Sequence, residues 1–285
     1  MSANTLQSSP AFPVQDDLRS SDPLAVLRLE GADAARFLQG QVTQDVLALP
    51  ADHWTRSALC TAQGRVLALP KVVRVPTGLW LVLPTDRLDT IRSHLQRFIL
   101  RAKVKLASDK AVRIGLVDGA GTVPDVTACQ PMTRSGSTAM LDLSPRRRLV
   151  IRTADGDAAE IAGNPGQDAA AWHRWLAACV DEGEPVVFAA SAECWTPHML
   201  AQDHWQAISL TKGCYTGQEI VARTHYLGKN KRRLEATTLP GDTLPAPGEA
   251  CELPDGRRAE WVLGVATPAG IRGLVVVAAP EPAVA

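Results

Sequence analysis

Apolar residues recur with two different periods along the chain, and these periods predict both helices and strands. Spacings of three and four residues predict helices at residues 34–40, 86–98 and 168–178. Apolar runs between turn residues predict strands at 24–29, 54–59, 64–75, 79–83, 104–106, 112–117 and 148–152. Because helices and strands do not alternate strictly, the pattern predicts an α+β fold rather than a doubly wound sheet.

The two ends of the chain differ from the middle. Residues 1–22 are polar and contain Pro and Ser, which predicts a flexible tail. Towards the other end, Pro and Gly cut the apolar pattern into three or four short strands, which is typical of a small antiparallel barrel or sandwich. We therefore expect a tail at 1–22, an α+β region at 23–235 and a C-terminal β-barrel at 236–285.

Composition narrows the class of protein. Apolar residues make up 46% of the 285 residues and charged residues 21%, as in ordinary soluble proteins. Lys plus Arg and Asp plus Glu number 30 each, so the formal net charge is zero. This balance argues against a protein that holds nucleic acid or an anionic membrane by bulk charge, although a local basic patch stays open.

The sequence lacks an export signal, a membrane-spanning segment and the cysteine spacing of a zinc site, and this indicates the compartment and the metal content. The first basic residue is Arg19, and no apolar segment of export-signal type precedes or follows it. The longest apolar runs, such as 274–280, are too short to span a bilayer. The six cysteines are dispersed without the spacing of a zinc site. We expect a cytoplasmic protein with reduced thiols, no membrane contact and no metal site.

One segment carries candidate chemistry. From Lys212 onward the chain reads Lys-Gly-Cys-Tyr-Thr-Gly-Gln-Glu. Thr216 followed by Glu219 fits a capping box, which predicts a helix that begins here and ends at Gly228. Cys214 would then precede a helix N-terminus and lie two residues from a lysine, and both features favour thiolate over thiol. The sequence predicts a functional thiol at Cys214; the alternative is a small buried hydrophobic residue.

This segment resembles the Lys-Gly-Cys-Tyr-x-Gly-Gln-Glu signature of the YgfZ family, folate-binding proteins related to the T-protein of the glycine cleavage system. Every defined position of the signature matches. The matching residues are Lys212, Gly213, Cys214, Tyr215, Gly217, Gln218 and Glu219, and the match continues to Arg223. Similar stretches lie at 31–45, 60–67, 101–104 and 175–185, so the resemblance covers residues 24–235 in patches.

The resemblance implies a fold and a cofactor. The expected fold is that of the T-protein aminomethyltransferases (GcvT-like), with two intertwined α+β units and a C-terminal β-barrel around a central hole. Tetrahydrofolate would occupy the hole. Trp175 matches a tryptophan that lines the folate site of the family; the alternative is a core residue on an amphipathic helix. A second tryptophan of the family is replaced here by Leu24.

Other polar residues are open to two interpretations. His198 stands where the family often has Gln, and it is interpreted either as a ligand or general base or as a surface residue. The basic runs 146–148 and 229–233 are either solvated faces or contacts to a polyglutamate tail or to RNA phosphates.

Three functions remain open. The related aminomethyltransferases place a carboxylate on the strand after the first Gly-rich turn, but residues 65–70 contain no Asp or Glu. The resemblance therefore implies a folate-binding accessory protein that supports iron–sulfur cluster assembly or repair and, through cluster enzymes, tRNA modification. The expected partners are the cluster assembly machinery or client enzymes, without a stable nucleic acid contact. The alternatives are a one-carbon (aminomethyl) transferase with another base and an interaction scaffold without folate.

Overall fold

The computed structural model describes residues 23–109, 113–116, 126–135, 138–152, 169–228 and 230–279. The tail that the sequence predicts at residues 1–22 lies outside these ranges. Among the described residues, no helix has the length and apolar character that crossing a membrane requires.

Strands and short helices alternate irregularly along the chain. The strands are β1 (Leu24–Glu30), β2 (His53–Arg56), β3 (Leu59–Cys60), β4 (Val66–Ala68), β5 (Lys71–Val75), β6 (Gly78–Pro84), β7 (Lys105–Asp109), β8 (Arg113–Leu116), β9 (Gln130–Pro131), β10 (Thr133–Ser135), β11 (Thr138–Ser144), β12 (Arg147–Arg152), β13 (Arg232–Leu239), β14 (Ala250–Glu252), β15 (Arg258–Thr267) and β16 (Gly270–Ala278). The α-helices are α1 (Ala34–Gln39), α2 (Leu88–Gln96), α3 (Ala169–Glu182) and α4 (Gln218–Leu227), with 3₁₀ turns at Thr85–Arg87, Ala189–Ser191 and His198–Leu200.

The strands form antiparallel sheets. A six-stranded sheet has the order β7-β1-β6-β5-β2-β9, and a four-stranded sheet has the order β10-β11-β12-β8. A third sheet near the C-terminus, in the order β13-β16-β15-β14, is curled into a half-barrel. Helix α3 packs against β15 and β16 of this sheet, which ties it to the rest of the molecule. The predicted α+β class is confirmed.

Two predicted strands are interrupted. The apolar runs at 54–59 and 64–75 each divide in two, because β2 pairs with β5 while β3 and β4 form a separate small hairpin. Residues 186–188 carry an apolar run but form no strand. Their side chains are buried in the main core, but the N–H of Phe188 bonds the Ser191 hydroxyl instead of a neighbouring strand. Burial alone produced the apolar pattern at this position.

Helix α3 is longer than its predicted range of 168–178. It continues to Glu182 because the apolar spacing extends through the buried Cys179 and Val180. It ends at Gly183, whose φ of 70° is the left-handed conformation that closes many helices. This ending directs Glu184 into the interior, where the candidate site begins.

Candidate functional site

The signature segment is fixed to the body by its lysine. The side chain of Lys212 is buried, and its ammonium donates hydrogen bonds of 2.7, 2.7 and 2.8 Å to the carbonyl oxygens of Gln39, Val42 and Gln44. The ammonium also lies 5.0 Å from the ring centroid of Tyr215. Lys212 therefore anchors the loop to the chain that follows helix α1.

The protonation state of Lys212 suits this role. Burial lowers the pKa of Lys212 to about 8, and the nearby carboxylate of Asp45 opposes that shift. A pKa of about 8 leaves the amine mainly protonated at neutral pH, so it keeps all three N–H donors. Because three carbonyl oxygens occupy these donors, the lysine holds the loop in place through backbone acceptors.

Glycines lock the end of the loop against the turn of the β3–β4 hairpin. Gly217 has a φ of 85°, and a Cβ atom there would lie 2.6 Å from the carbonyl oxygen of Thr61. A Cβ atom on Gly64 would lie 2.8 Å from Cβ of Ile220. The backbone N–H of Thr216 donates a 3.1 Å bond to the carbonyl of Gly40. Only glycine permits so close an approach of the two turns.

The capping box predicted at this helix is wrong. Helix α4 begins at Gln218, its N-cap is the left-handed Gly217, and no side chain caps it. The sharp turn at the glycine places Glu219 in the first helical turn without a reciprocal bond to Thr216. The carboxylate still lies where the helix dipole favours negative charge. The predicted end at Gly228 is confirmed, with a φ of 62°.

Cys214 is the exposed thiol of the chain. It and Gly213 lie at the solvent-facing tip of the loop, while the other five cysteines are buried or partly buried. Burial raises the pKa of the Cys60 thiol to about 12 and that of Cys179 to about 11, which keeps both protonated. The geometry thus distinguishes Cys214 from these buried thiols by access to solvent.

The remaining signature residues surround this tip. Tyr215 is buried, and burial raises the pKa of its phenol well above the usual value. Gln218 is partly buried, and Glu219 and Arg223 are exposed on successive turns of α4. The structure therefore brings the signature residues together, with Lys212 and Tyr215 inside and Cys214, Glu219 and Arg223 outside.

A second group of polar residues is buried in the interior. The carboxylate of Glu184 lies 2.7 Å from Nε of Arg56 and 3.1 Å from Nζ of Lys71, and it also pairs with Arg147. Arg147 bonds Glu182 as well. Burial would raise the pKa of Glu184, but its three cationic neighbours hold that pKa well below the usual range. We call these five residues the buried ion cluster.

Trp175 lies on one side of the buried ion cluster. Its ring stacks on that of Trp172 at 4.8 Å between centroids, and the guanidinium carbon of Arg147 lies 5.6 Å from its centroid. The cavity that Trp175 lines together with Leu24 measures about 10 Å³. A cavity of that size holds about one water molecule. A pterin does not fit beside Trp175 in this conformation.

A larger pocket of about 340 Å³ opens on the other side of the buried ion cluster. This volume is within the range of small-molecule sites, about 300–1,000 Å³. One wall is Arg56, whose guanidinium carbon lies 4.6 Å from the ring of Trp205 and 4.9 Å from that of Trp54. The lining also includes Gln130, Asp142, Ser144, Arg146 and Glu182. An aromatic side chain beside several fixed polar groups suits a flat, polar heterocycle such as a pterin.

Sequence reasoning missed both the buried ion cluster and Trp205. Charged residues inside apolar runs were the available signal, since Arg56 and Lys71 interrupt the predicted strands at 54–59 and 64–75. Lys and Arg are seldom fully buried unless they are paired. The partner, Glu184, could not be identified because it follows a helix more than a hundred residues later.

The pocket and the signature loop are connected by one segment. Trp205 lines the pocket. The two residues after it, Gln206 and Ala207, are hydrogen-bonded to segment 42–44, whose carbonyl oxygens also accept bonds from Lys212. Nε2 of Gln44 donates to the carbonyl of Gln206, and the hydroxyl of Thr43 donates a 2.7 Å bond to the carbonyl of Ala207. Residues 42–44 therefore fix both the pocket wall and Lys212.

The basic runs are largely ion-paired. Arg147 belongs to the buried ion cluster, and Arg146 lies 3.1 Å from Asp181. Farther along, Arg232 lies 2.7 Å from Glu260 and Arg233 lies 2.6 Å from Glu235. Lys229, the first residue of the second run, lies outside the described residues.

His198 is buried in a 3₁₀ turn rather than exposed on the surface, and the surface interpretation is wrong. Its ring centroid lies 6.0 Å from that of His225. Burial lowers the pKa of His198, which favours the neutral imidazole. Within the described part of the chain, no group of three or more His, Cys, Asp or Glu residues is placed to hold a metal ion.

Comparison with known proteins identifies relatives. No protein-family model matches the chain. The tRNA-modifying protein YgfZ of Yersinia pseudotuberculosis is 33% identical over 260 residues, which cover 87% of this chain and 76% of the relative. The protein of the same name from Yersinia enterocolitica is 32% identical over 277 residues, covering 92% and 80%.

Among solved structures, the glycine cleavage system aminomethyltransferase T of Bartonella henselae matches with a TM-score of 0.62 at 12% identity. The match covers 94% of this chain and 82% of that protein. At this identity the likeness concerns the fold, and the expected GcvT-like fold is confirmed.

Proposed function

Because this chain belongs to the YgfZ family, whose curated relatives are named tRNA-modifying proteins, we propose that it is a folate-binding accessory protein. It supports the assembly or repair of iron–sulfur clusters and, through enzymes that carry such clusters, the modification of tRNA. Its partners are tetrahydrofolate and either the assembly machinery or the client enzymes. Its place of action is the cytoplasm.

The observation that carries this proposal is the construction of the signature loop. A buried ammonium with three backbone acceptors is a costly feature for a surface loop, since Lys is rarely buried without a function or a paired charge. Here it presents one exposed thiol, Cys214, at a fixed position on the surface. A fixed, accessible thiol suits transient contact with a partner protein or its cluster.

Folate would occupy the 340 Å³ pocket. Trp205 and Arg56 would face the pterin, and Gln130, Ser144 and Glu182 offer hydrogen-bonding groups to its polar edge. Bound tetrahydrofolate supplies a carrier for one-carbon units. Trp175 supports the opposite side of the buried ion cluster through Arg147, and its effect on folate is therefore indirect in this conformation.

The β3–β4 hairpin favours an accessory role over aminomethyl transfer. The strand that follows Gly64 carries Val66, Leu67 and Ala68, all buried and apolar. Transfer of a methylene group requires a positioned base and charge stabilisation near the reacting amine. No carboxylate stands on this strand to provide them.

A deletion strain tests the proposal. Wild-type protein and a Cys251→Ser control should restore the activity of iron–sulfur enzymes, including those that modify tRNA, whereas Cys214→Ala should not. In parallel, tetrahydrofolate should quench the tryptophan fluorescence of the purified protein. Full rescue by Cys214→Ala would remove the proposed role of the thiol. Rescue by wild-type protein that binds no folate would leave an interaction scaffold instead.

A further inference from the structure

A basic and apolar surface follows helix α2 and shares no residue with the pocket or the signature loop. Phe98 is 43% exposed and Leu100 is 88% exposed, so both apolar side chains face solvent. Four exposed cations, Arg97, Arg101, Lys103 and Lys105, are interleaved with them. We call these six residues the 97–105 surface.

The cations form a row beside an edge of the six-stranded sheet. Exposed Arg101, Lys103 and Lys105 alternate with the partly buried Ala102 and Val104. The row leads into β7, which is the first strand in the order of that sheet. Val104 packs against the core and the N–H of Lys103 bonds Asp33, so the three cationic side chains extend to solvent from a fixed backbone.

Few opposing charges face this row. Asp33 uses a carboxylate oxygen to accept a 2.8 Å bond from the backbone N–H of Lys103. Glu30 is opposite Lys105 in the strand register, but its carboxylate lies 3.6 Å from Arg28. Within the described structure, no carboxylate lies within ion-pair distance of the four cations of the surface. A concentrated positive patch on a chain of zero net charge favours an anionic partner.

We propose that the 97–105 surface binds a single-stranded segment of RNA. A row of cations contacts successive phosphates, and an exposed aromatic ring stacks on an unpaired base, as in proteins that bind single strands. The Phe98 ring is tilted by 53° to the His94 ring rather than stacked on it, and its 43% exposure leaves phenyl surface accessible to a base. This inference is independent of folate and of Cys214.

Binding should be weak and sensitive to salt, because the affinity depends mainly on phosphate contacts. The probe is a fluorescein-labelled oligouridine of about 12 nucleotides, and anisotropy is measured over a series of salt concentrations. The triple variant Arg101→Gln, Lys103→Gln, Lys105→Gln should lower the slope of log K against log salt by about 2. Each cation that neutralises a phosphate of a single strand contributes about 0.7 to that slope.

A matched control removes the same charge from another face. The triple variant Arg233→Gln, Arg257→Gln, Arg258→Gln lies on the C-terminal sheet and should keep the wild-type slope. Equal slopes for the two triple variants would overturn the proposal, as would the absence of wild-type binding at low salt. Melting curves of both variants verify that the fold is retained.

The aromatic contact has its own test. Phe98→Ala should weaken oligouridine binding by about tenfold, and Phe98→Leu should weaken it equally because leucine lacks a π face. Retention of binding by Phe98→Leu would argue against stacking. Tighter binding of an oligodeoxyuridine than of the oligouridine, or binding to phosphatidylserine vesicles without binding to the oligouridine, would also overturn the proposal.

Discussion

The side-chain ammonium of Lys212 donates a 2.7 Å hydrogen bond to the carbonyl oxygen of Val42, 170 residues earlier in the chain. The sequence suggested that this lysine acts on the neighbouring thiol. In the structure its three N–H donors instead connect the signature loop to the end of helix α1 and the segment that follows it. The lysine of the signature is therefore a structural anchor that positions the cysteine.

Replacing the anchor should destabilise the protein. Lys212→Met removes a charged donor from three buried carbonyl oxygens and leaves them without these bonds, which should cost about 3 kcal/mol of unfolding free energy. Urea unfolding followed by circular dichroism measures this loss. The exposed Lys231→Met is the matched control and should change stability by less than about 0.5 kcal/mol. A Lys212→Met protein as stable as this control would contradict the anchoring role.

Three glycines separate the effects of backbone strain and of close contact: Gly213 and Gly217 lie in the signature loop, and Gly183 follows helix α3. Gly217→Ala places a methyl group 2.6 Å from the carbonyl of Thr61 in a left-handed conformation, and should lose at least about 2 kcal/mol of unfolding free energy. Gly183→Ala has the left-handed conformation without a close neighbour, and should lose about 1 kcal/mol. Gly213→Ala has neither and should be nearly neutral. Any other order in thermal unfolding would reject the proposed packing.

The fold could be predicted largely because its signals are local. Spacing at three and four residues located helix α2, and the left-handed glycine at 228 ended helix α4 where expected. The capping box failed because a tertiary contact, the approach of Gly217 to Thr61, set the start of the helix. Local propensity carries no information about such a contact.

The site was predictable only in part, because the signature loop is one continuous segment whereas the buried ion cluster is assembled from several. The signature loop is continuous in sequence and could be recognised as a whole. The buried ion cluster joins Arg56, Lys71 and Arg147 to Glu182 and Glu184 from distant segments, and no spacing rule connects them. Trp175 was singled out by resemblance, whereas the indole that lines the larger pocket is Trp205.

The centre of the buried ion cluster should be essential for stability. Glu184→Gln leaves three buried cations without their shared carboxylate, which should cost about 3–5 kcal/mol. Glu182→Gln is the control and should cost less, because Glu182 is more exposed and Glu184 still pairs with Arg147. Chemical unfolding at pH 7 gives both values.

The pH dependence of the unfolding free energy provides an independent check on the Glu184 carboxylate. The pKa of Glu184 is depressed in the folded protein, so its contribution is present above the unfolded pKa of about 4.3. That contribution is lost as the pH falls through the lower folded value. The difference in unfolding free energy between wild type and Glu184→Gln should therefore shrink below about pH 4. A constant difference down to the lowest accessible pH would show that Glu184 is not the stabilising anion.

Two tryptophan variants should identify the wall that folate contacts. If tetrahydrofolate binds in the 340 Å³ pocket, Trp205→Ala should weaken its binding by about 1–2 kcal/mol, the scale of a lost stacking contact. Trp175→Phe should bind nearly as wild type, since the cavity beside it admits only about one water molecule. Titrations monitored by calorimetry avoid the optical effect of removing a fluorophore. The reverse order of losses would place the pterin at Trp175 and require that cavity to open.

Thiol labelling should single out Cys214. At neutral pH a maleimide should modify this exposed cysteine first, and Cys214→Ser should abolish the fast phase. Cys60 and Cys179 should stay unmodified in the folded protein, because burial both shields them and raises their pKa to about 12 and about 11. Since the thiol lies at a solvent-facing tip, Cys214→Ser should change the unfolding free energy by less than about 0.5 kcal/mol. Loss of function in a stable Cys214→Ser protein would identify a chemical role for the thiol, whereas a large loss of stability would mean that the cysteine is structural.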